Sequence, residues 1–310
     1  MKPAVLLGQA IGDALGMPFE KLGDEVHEDL PTWAGEFRRG TFHDLPAGHY
    51  TDDTEMAECL ALSLTQRKGY VVGDAAEKYL RWISETPHGA GDTTKQALKR
   101  FGMHADPHLC GIEFDDPRKV GSGPAMRAAP IGAWFCNRYQ IWKVCEEDAQ
   151  ITHKHREAVA SSFAVALAVR LAIEGYRPVD LLDEVIEHVA ESTWEKDEPI
   201  TLVQEYLRTV LLSLQERVAM SPSLVGPNIG RRGNASQITA TALHCALFYD
   251  NFRDGVIAAI KLGGDADTRG AIAGAILGAR FGSEGIPEEY VRGVKDAAKF
   301  GELDRKLVRI

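Results

Sequence analysis

The chain lacks the cysteine patterns that build zinc knuckles or disulfide frameworks. Its cysteines are odd in number and no two of them form a C-x-x-C pair: Cys59, Cys110, Cys136, Cys145 and Cys245. Scattered cysteines of this kind are typical of reduced thiols. We therefore expect a cytoplasmic protein rather than a disulfide-rich secreted scaffold.

The sequence also lacks a long apolar run and an excess of positive charge. The apolar residues that open the chain soon reach Asp13, so we predict neither a membrane span nor a signal peptide. The formal net charge is −10, whereas a general nucleic-acid binder usually carries a basic stripe. A phosphate-bearing ligand is still allowed, because bound cations reverse the local sign of a site.

Alternating patterns typical of β-strands are scarce, and helical spacing of apolar residues is common instead. We predict helices over the following ranges: 54–67, 157–174, 201–219, 236–249 and 254–262. Clusters of Gly, Pro and polar residues predict loops at 31–50, 86–94, 103–124 and 221–236. We expect one all-α domain over residues 1–310, a compact multi-helix bundle. We interpret 103–124 as a surface loop over the functional site and not as a linker between two domains.

Two sets of three glycines are spaced four residues apart, and each set forms a bare stripe on one helix face: Gly8, Gly12 and Gly16, then Gly270, Gly274 and Gly278. Glycine inside a helix costs about 1 kcal/mol relative to alanine, so three in register indicate a very close neighbour. Our hypothesis is that these two helices pack against each other. The alternative is that each contacts a different helix.

Two short acidic segments carry the residues best suited to chemistry. The first is Tyr50-Thr51-Asp52-Asp53-Thr54-Glu55, and the second is Gly263-Gly264-Asp265-Ala266-Asp267-Thr268. Each combines carboxylates with a threonine hydroxyl at the start of an apolar helix. Hard divalent cations prefer such oxygen ligands, and Mg²⁺ or Mn²⁺ is favoured over zinc because no Cys or His accompanies the segments.

The alternative for each segment is helix capping. Asp and Thr before a helix are ordinary N-caps, and Asp52 and Glu55 have the spacing of a capping pair. Four aspartates at two helix starts would repel each other if they converged, and bound metal would remove that conflict. Glu20 follows Pro18 on a predicted loop, and alone it would be interpreted as a surface carboxylate.

Five stretches together give the sequence a family resemblance: GQAIGDALGMPFE at 8–20, YTDDTEMA at 50–57, GSGPAMRAAPIG at 121–132, ITHKH at 151–155 and GGDADTRGAIAGAILGARFG at 263–282. The chain resembles the ADP-ribosylglycohydrolase family over nearly its whole length. The resemblance implies a compact all-α fold, two Mg²⁺ or Mn²⁺ ions as cofactors, and removal of ADP-ribose from a modified acceptor.

The resemblance also implies roles for particular residues. The family's metal ligands fall on Thr51, Asp52, Asp53, Asp265, Asp267 and Thr268, and its catalytic residues on Glu20 and Asp53. Its substrate-binding positions fall on Gly91, Gly121, Ser122, Gly123 and His153. Ser122 departs from the Asn often found there, so that contact can be lost. Without the resemblance, His153 would be interpreted as a helix-start histidine beside His155.

The implied reaction is hydrolysis of the N-glycosidic bond between ADP-ribose and an acceptor, with arginine in a protein as the leading choice. One alternative keeps the chemistry and changes the acceptor to serine, a nucleic-acid end or a free small molecule. Another is a protein that binds ADP-ribose without cleaving it. The expected partner is an ADP-ribosylated protein or another ADP-ribose conjugate, with ADP-ribose as product, and we expect a monomer.

Overall fold

The computed structural model describes residues 2–20, 28–40, 43–85, 88–192, 201–216, 229–230 and 233–308. The first eight helices are α1 (Val5–Gly16), α2 (Asp52–Arg67), α3 (Val72–Glu85), α4 (Asp92–His104), α5 (Gly123–Met126), α6 (Ala129–Trp134), α7 (Arg138–Gln150) and α8 (Arg156–Ile173). The later helices are α9 (Pro178–Ser192), α10 (Leu202–Glu216), α11 (Ala235–Phe248), α12 (Phe252–Lys261), α13 (Ala266–Phe281), α14 (Glu288–Gly293) and α15 (Ala297–Leu307). The all-α prediction is confirmed.

Strand structure in the described ranges is limited to two residues in each of two strands. β1 (Ile112–Glu113) pairs in parallel with β2 (His153–Lys154), in the register Ile112 with His153. In addition, Gly121 forms an isolated antiparallel bridge with Asn234. The first pairing joins the segment between α4 and α5 to the start of α8, and the second joins it to the start of α11. Together they fix the loop that was expected to lie over the site.

Helices α1, α8 and α13 form the centre of the fold. Every residue of α1 is buried, and so are nearly all residues of α8 and α13. A helix that is apolar and buried all round lies inside a domain rather than at its surface. No helix in the described part of the chain is long and apolar enough to cross a membrane.

The glycine stripes of α1 and α13 face each other, which confirms the hypothesis drawn from their spacing. A Cβ atom added to Gly12 would overlap the carbonyl group of Gly270, and one added to Gly274 would overlap that of Gly8. Each helix therefore lies backbone against backbone with the other. This contact brings the end of α1 beside the start of α13, where the second acidic segment lies.

The C-terminal helix also contacts α1. Asp304 of α15 accepts hydrogen bonds from the backbone N–H groups of Leu6 at 2.9 Å and Leu7 at 3.2 Å. The first N–H groups of a helix have no partner within the helix, so this carboxylate satisfies two of them from a distant part of the chain. The position of α1 is thus determined by α13 on one side and by α15 at its start.

The described boundaries of the five predicted helices lie within two residues of the predicted ones, whereas α3, α7 and α9 were not predicted. One predicted loop needs correction. Residues 86–94 were expected to form a loop, but α4 already begins at Asp92 after the extended Gly91. An acidic residue in a first turn suits the helix dipole, which favours this earlier start. The predicted loop 221–236 lies largely outside the described residues, as does the end of the predicted helix 201–219.

Candidate active site

The two acidic segments converge on one cleft. Its lining includes Asp52 and Asp53 of α2 together with Asp265, Asp267 and Thr268 at the start of α13. Glu20, which follows α1, lies at the same cleft. The packing of α1 against α13 explains the convergence, because the end of α1 and the beginning of α13 lie side by side. Carboxylates more than 200 positions apart in the sequence thus face one another.

Asp13 holds the first segment in place. Its buried carboxylate accepts hydrogen bonds from the backbone N–H groups of Thr51 and Thr54, each at 3.1 Å. The hydroxyls of the same two threonines also donate to it, at 3.0 and 2.6 Å. Asp13 therefore acts as a capping group for α2 from another helix. The start of α2 is fixed relative to α1, and Asp52 and Asp53 are fixed with it.

The second segment is held by a glycine turn and an arginine. Gly263 and Gly264 have φ angles of +75° and +67°, a region that favours glycine. The fully buried Arg269 donates to the Gly263 carbonyl and to the Thr241 hydroxyl. These contacts fix the turn that leads into α13. Asp265 stands at the N-cap position, and Asp267 lies in the first turn.

The capping alternative for the two segments does not describe the geometry. Thr51 and Asp265 occupy the N-cap positions of α2 and α13, but neither side chain makes a capping hydrogen bond. Glu55 does not reach back to the helix start, since its carboxylate accepts from the indole of Trp82 at 2.7 Å and contacts the ring of His88 at 2.6 Å. The acidic side chains are thus available to the cleft.

Burial and mutual repulsion make the ionised carboxylates unfavourable without a counter-charge. Burial, followed by the charges of neighbouring carboxylates, raises the pKa of Asp52, Asp53 and Asp267 well above the usual range. The pKa of Asp265 is raised for the same reasons. For Asp53, the neighbouring charges belong to Asp13, Asp52 and Asp265. Such a group is stabilised in its ionised form by a bound cation.

Asp53 provides a second indication of a missing partner. Its Oδ1 atom is buried and has no hydrogen-bond partner among the described residues. A buried carboxylate oxygen left without a partner costs free energy, so a ligand atom is expected there. An all-oxygen set of carboxylates and hydroxyls suits Mg²⁺ or Mn²⁺, and the residues present therefore fit the expected divalent ions.

Glu20 is paired with His43, a residue that no sequence motif selects. The carboxylate of Glu20 contacts Nε2 of His43, and the same nitrogen lies 4.0 Å from Oδ2 of Asp267. Glu20, His43 and Asp267 together offer ligand atoms within 4.8 Å of one another. Two parts of the connection between α1 and α2 thus meet at one edge of the acidic cluster.

The expected substrate-binding residues line the same cleft: Gly91, Gly121, Ser122, Gly123 and His153. Gly121 and Gly123 lie against the His153 ring, where a Cβ atom on either would crowd it. His155, and not His153, caps α8, since its Nδ1 accepts from the Glu157 N–H at 3.0 Å. The helix-start interpretation therefore applies to His155 alone.

Thr51 is the one expected site residue that does not line the cleft surface. It is fully buried, and its hydroxyl donates to Asp13 and lies 3.2 Å from Oδ2 of Asp53. In this arrangement Thr51 contacts the Asp53 carboxylate without reaching the surface of the cleft. Asp13, His43 and Gly233 are neighbours of the site that sequence reasoning missed. Asp13 alone had a usable signal, because a charged residue between glycines of an otherwise apolar helix needs a buried partner.

A model of the family described as ADP-ribosylglycohydrolase matches residues 4–309, nearly the whole chain. The chain belongs to the ADP-ribosylglycohydrolase family. It is accordingly an ADP-ribosyl glycohydrolase enzyme, and the cleft between α2 and α13 is its candidate active site.

Relatives of this ADP-ribosylglycohydrolase match it over similar lengths. An uncharacterized protein of Archaeoglobus fulgidus is 30% identical over 98% of this chain and 95% of its own. ADP-ribosylhydrolase ARH3 of Danio rerio is 28% identical over 97% of this chain and 88% of its own. A solved structure titled ADP-ribosylglycohydrolase-related protein complex superposes with a TM-score of 0.78 at 30% identity, covering 98% of this chain and 95% of that one.

Proposed function

We propose that the protein is a metal-dependent hydrolase that cleaves the N-glycosidic bond between ADP-ribose and an arginine side chain of a modified protein. The observation that carries the proposal is the convergence of the two acidic segments, with Oδ1 of Asp53 buried and unpartnered between them. A cluster of buried carboxylates is costly unless a cation is bound. Its position in the cleft of a glycohydrolase supports a catalytic use of that cation.

Two Mg²⁺ or Mn²⁺ ions are proposed, with these residues as ligands: Thr51, Asp52, Asp53, Asp265, Asp267 and Thr268. Bound divalent ions polarise ribose hydroxyls and lower the pKa of a bound water. The role of Asp53 is supported by its unpartnered oxygen, and that of Thr51 by its closeness to Asp53. Asp13 is assigned to positioning, because its carboxylate accepts hydrogen bonds from Thr51 and Thr54.

The chain's own groups account for the remaining steps. Glu20 is proposed as the general acid or base, since it stands at the cleft on a loop rather than inside the cluster. Positive charge develops at the ribose anomeric carbon in glycoside cleavage, and an ionised Glu20, which lies outside the proposed ligand set, favours such charge. Backbone N–H groups around Gly91 and over 121–123 are suited to hold the diphosphate without a basic patch.

Arginine is preferred as the acceptor for two reasons. The relative from Pseudomonas putida, 27% identical over 97% of this chain and 76% of its own, is named an ADP-ribosylarginine hydrolase. At the edge of the cleft, the side chain of Asp92 is 92% exposed, and its Oδ1 lies 3.9 Å from Nζ of Lys95. A carboxylate in this place attracts a guanidinium group, which carries a permanent positive charge.

The test measures release of ADP-ribose from matched conjugates linked through arginine, serine and a nucleic-acid end. Each is assayed with Mg²⁺, with Mn²⁺, and with a chelator followed by added metal. We expect release from the arginine conjugate, its loss with chelator and its return with metal. Binding of ADP-ribose without release from any conjugate would contradict the hydrolase, and release from the serine conjugate alone would contradict the arginine acceptor.

Asp53→Asn tests the metal centre, and Asp74→Asn is its matched control. Asp74 is also a buried aspartate, but it lies on α3 and accepts from Ser63 at 2.6 Å and Arg67 at 2.7 Å. We expect the Asp53 variant to lose metal binding, measured by calorimetry, and turnover with it. The Asp74 variant keeps both. Equal metal affinity in the two variants would remove Asp53 from the ligand set.

A further inference from the structure

A fully buried arginine lies behind the substrate-binding wall of the cleft. Arg127 follows α5, and its Nε and Nη2 donate to the side chain and backbone carbonyl of Asp148, each at 2.7 Å. The ring of Tyr79 lies 5.0 Å from the guanidinium, and its hydroxyl donates to the other Asp148 oxygen at 2.9 Å. With these contacts the guanidinium has a single orientation, and its Nη1 points towards the start of β2.

That third nitrogen contacts Thr152. Nη1 of Arg127 donates to the Thr152 hydroxyl at 3.0 Å, and the same hydroxyl lies 2.9 Å from Nδ1 of His153. A guanidinium only donates, so the threonine oxygen must accept from it. The hydroxyl hydrogen is then left to donate, and among the described residues Nδ1 of His153 is the acceptor within reach. If the oxygen accepted from an Nδ1–H as well, the buried hydroxyl hydrogen would have no partner among the described residues, so the favoured arrangement has no hydrogen on Nδ1.

The His153 ring is neutral, so the hydrogen absent from Nδ1 is on Nε2. Burial, aided by the charge of Arg127, lowers the pKa of His153 to about 3. A neutral imidazole has one donor nitrogen and one acceptor nitrogen. Phe114 stacks on the ring with centroids 5.7 Å apart and an angle of 13°, which holds its plane. Nε2 faces Gly121, where an added Cβ would lie 3.2 Å from it.

We propose that Arg127 and Thr152 are positioning residues, which hold Nε2 of His153 as a hydrogen-bond donor towards a phosphate oxygen of the ligand beside residues 121–123. The opposite tautomer would present a lone pair to an anionic oxygen and repel it. The choice of a phosphate-bearing ligand rests on the proposed function. The tautomer itself rests only on the contacts of the three side chains.

The experiment uses the full chain with ¹⁵N-labelled histidine. Long-range proton–nitrogen NMR spectra identify which nitrogen of His153 carries the hydrogen, and calorimetry gives the dissociation constant for ADP-ribose. Thr152→Val removes the hydroxyl with little change of shape, and Thr152→Ser is the control that keeps it. We expect the Nε2–H tautomer in the wild type and the serine variant. The valine variant should lose that preference and bind ADP-ribose about tenfold more weakly, the size of one hydrogen bond to a charged group.

The outcomes separate this inference from the proposed function. If the valine variant keeps the Nε2–H tautomer, Arg127 and Thr152 do not determine the tautomer of His153, and the proposal is wrong. If the tautomer of the valine variant changes but its affinity for ADP-ribose does not, Nε2–H of His153 does not donate to the ligand, and the proposal is overturned. A wild-type protein that does not bind ADP-ribose would refute the proposed function. The spectra would still show whether Arg127 and Thr152 determine the tautomer of His153. Thr152→Ala gives the same readout if the valine variant does not fold.

Discussion

The close contact between α1 and α13 yields a prediction in which two similar substitutions have opposite effects. Gly12→Ala places a methyl group onto the Gly270 carbonyl, whereas Gly301→Ala, on α15, meets nothing within 4 Å. Both replace a helical glycine, so both gain about 1 kcal/mol of helix propensity. Only the first forces two backbones apart, by at least about 1 Å before ordinary van der Waals contact is restored.

Overpacking of a buried contact costs about 1–3 kcal/mol, and this cost is greater where backbone rather than a side chain must move. We expect Gly12→Ala to lower the free energy of unfolding by about 2 kcal/mol and Gly301→Ala to raise it by up to 1 kcal/mol. For 310 residues, with an unfolding entropy of about 2.1 cal/mol/K per residue, the first change lowers Tm by about 3 °C.

The measurement is denaturant unfolding of the wild type and the two variants, followed by circular dichroism. Metal affinity is measured on the same samples, because Asp13 adjoins Gly12 and a displaced α1 should disturb the contacts of Asp13 with Thr51 and Thr54. We expect weaker metal binding in the Gly12 variant alone. Equal stabilisation by both substitutions would refute the assignment of the glycine stripes to a backbone contact.

Three further predictions concern single side chains. Glu20→Gln should lower turnover by about 100-fold or more at unchanged metal affinity, because general acid–base catalysis contributes on that scale; full activity on every conjugate would exclude the role. Asp304→Asn should cost about 1–2 kcal/mol in denaturant unfolding, since an amide oxygen can replace only one of the two acceptors that serve Leu6 and Leu7; no change would mean that α15 does not fix α1. Burial lowers the pKa of His244 to about 4. Below pH 6.5 the unfolded chain therefore binds a proton at this imidazole that the folded chain does not bind. The unfolding free energy should therefore fall by up to about 3 kcal/mol between pH 6.5 and 4, and His244→Gln, compared in the same titration, should lack this contribution.

Local patterns in the sequence were enough to predict α2, α8, α10, α11 and α12 and the contact between α1 and α13, but not α3, α4, α7 or α9. A shared site for the two acidic segments was expected from the family resemblance. Glycines spaced four apart encode a close helix contact because their effect depends on helix geometry alone. The contact in turn determines where Asp53 and Asp265 lie. The resemblance supplied the metal-ligand set, and the structure gives one reason for it in the unpartnered oxygen of Asp53.

The remaining features depend on tertiary contacts that leave no periodic signal. His43 and Glu20 meet within the long connection between α1 and α2, and loop conformation does not follow from residue spacing. The link from Arg127 to His153 passes through Thr152 across a strand and a helix end. The start of α4 at Asp92 was missed because polar residues near glycine indicate a loop or a helix start equally well.

The distance in sequence between α1 and α13 has a consequence for how the enzyme is made. Gly16 and Ala266 are in contact, although 250 positions separate them (266 − 16 = 250). During synthesis, α1 leaves the ribosome well before α13 does, so its glycine face stays uncovered in the meantime, and such non-local contacts slow folding. The acidic half-sites meet only at that late step. A growing polypeptide therefore offers no assembled catalytic centre, and a chaperone that shields α1 should raise the yield of active enzyme.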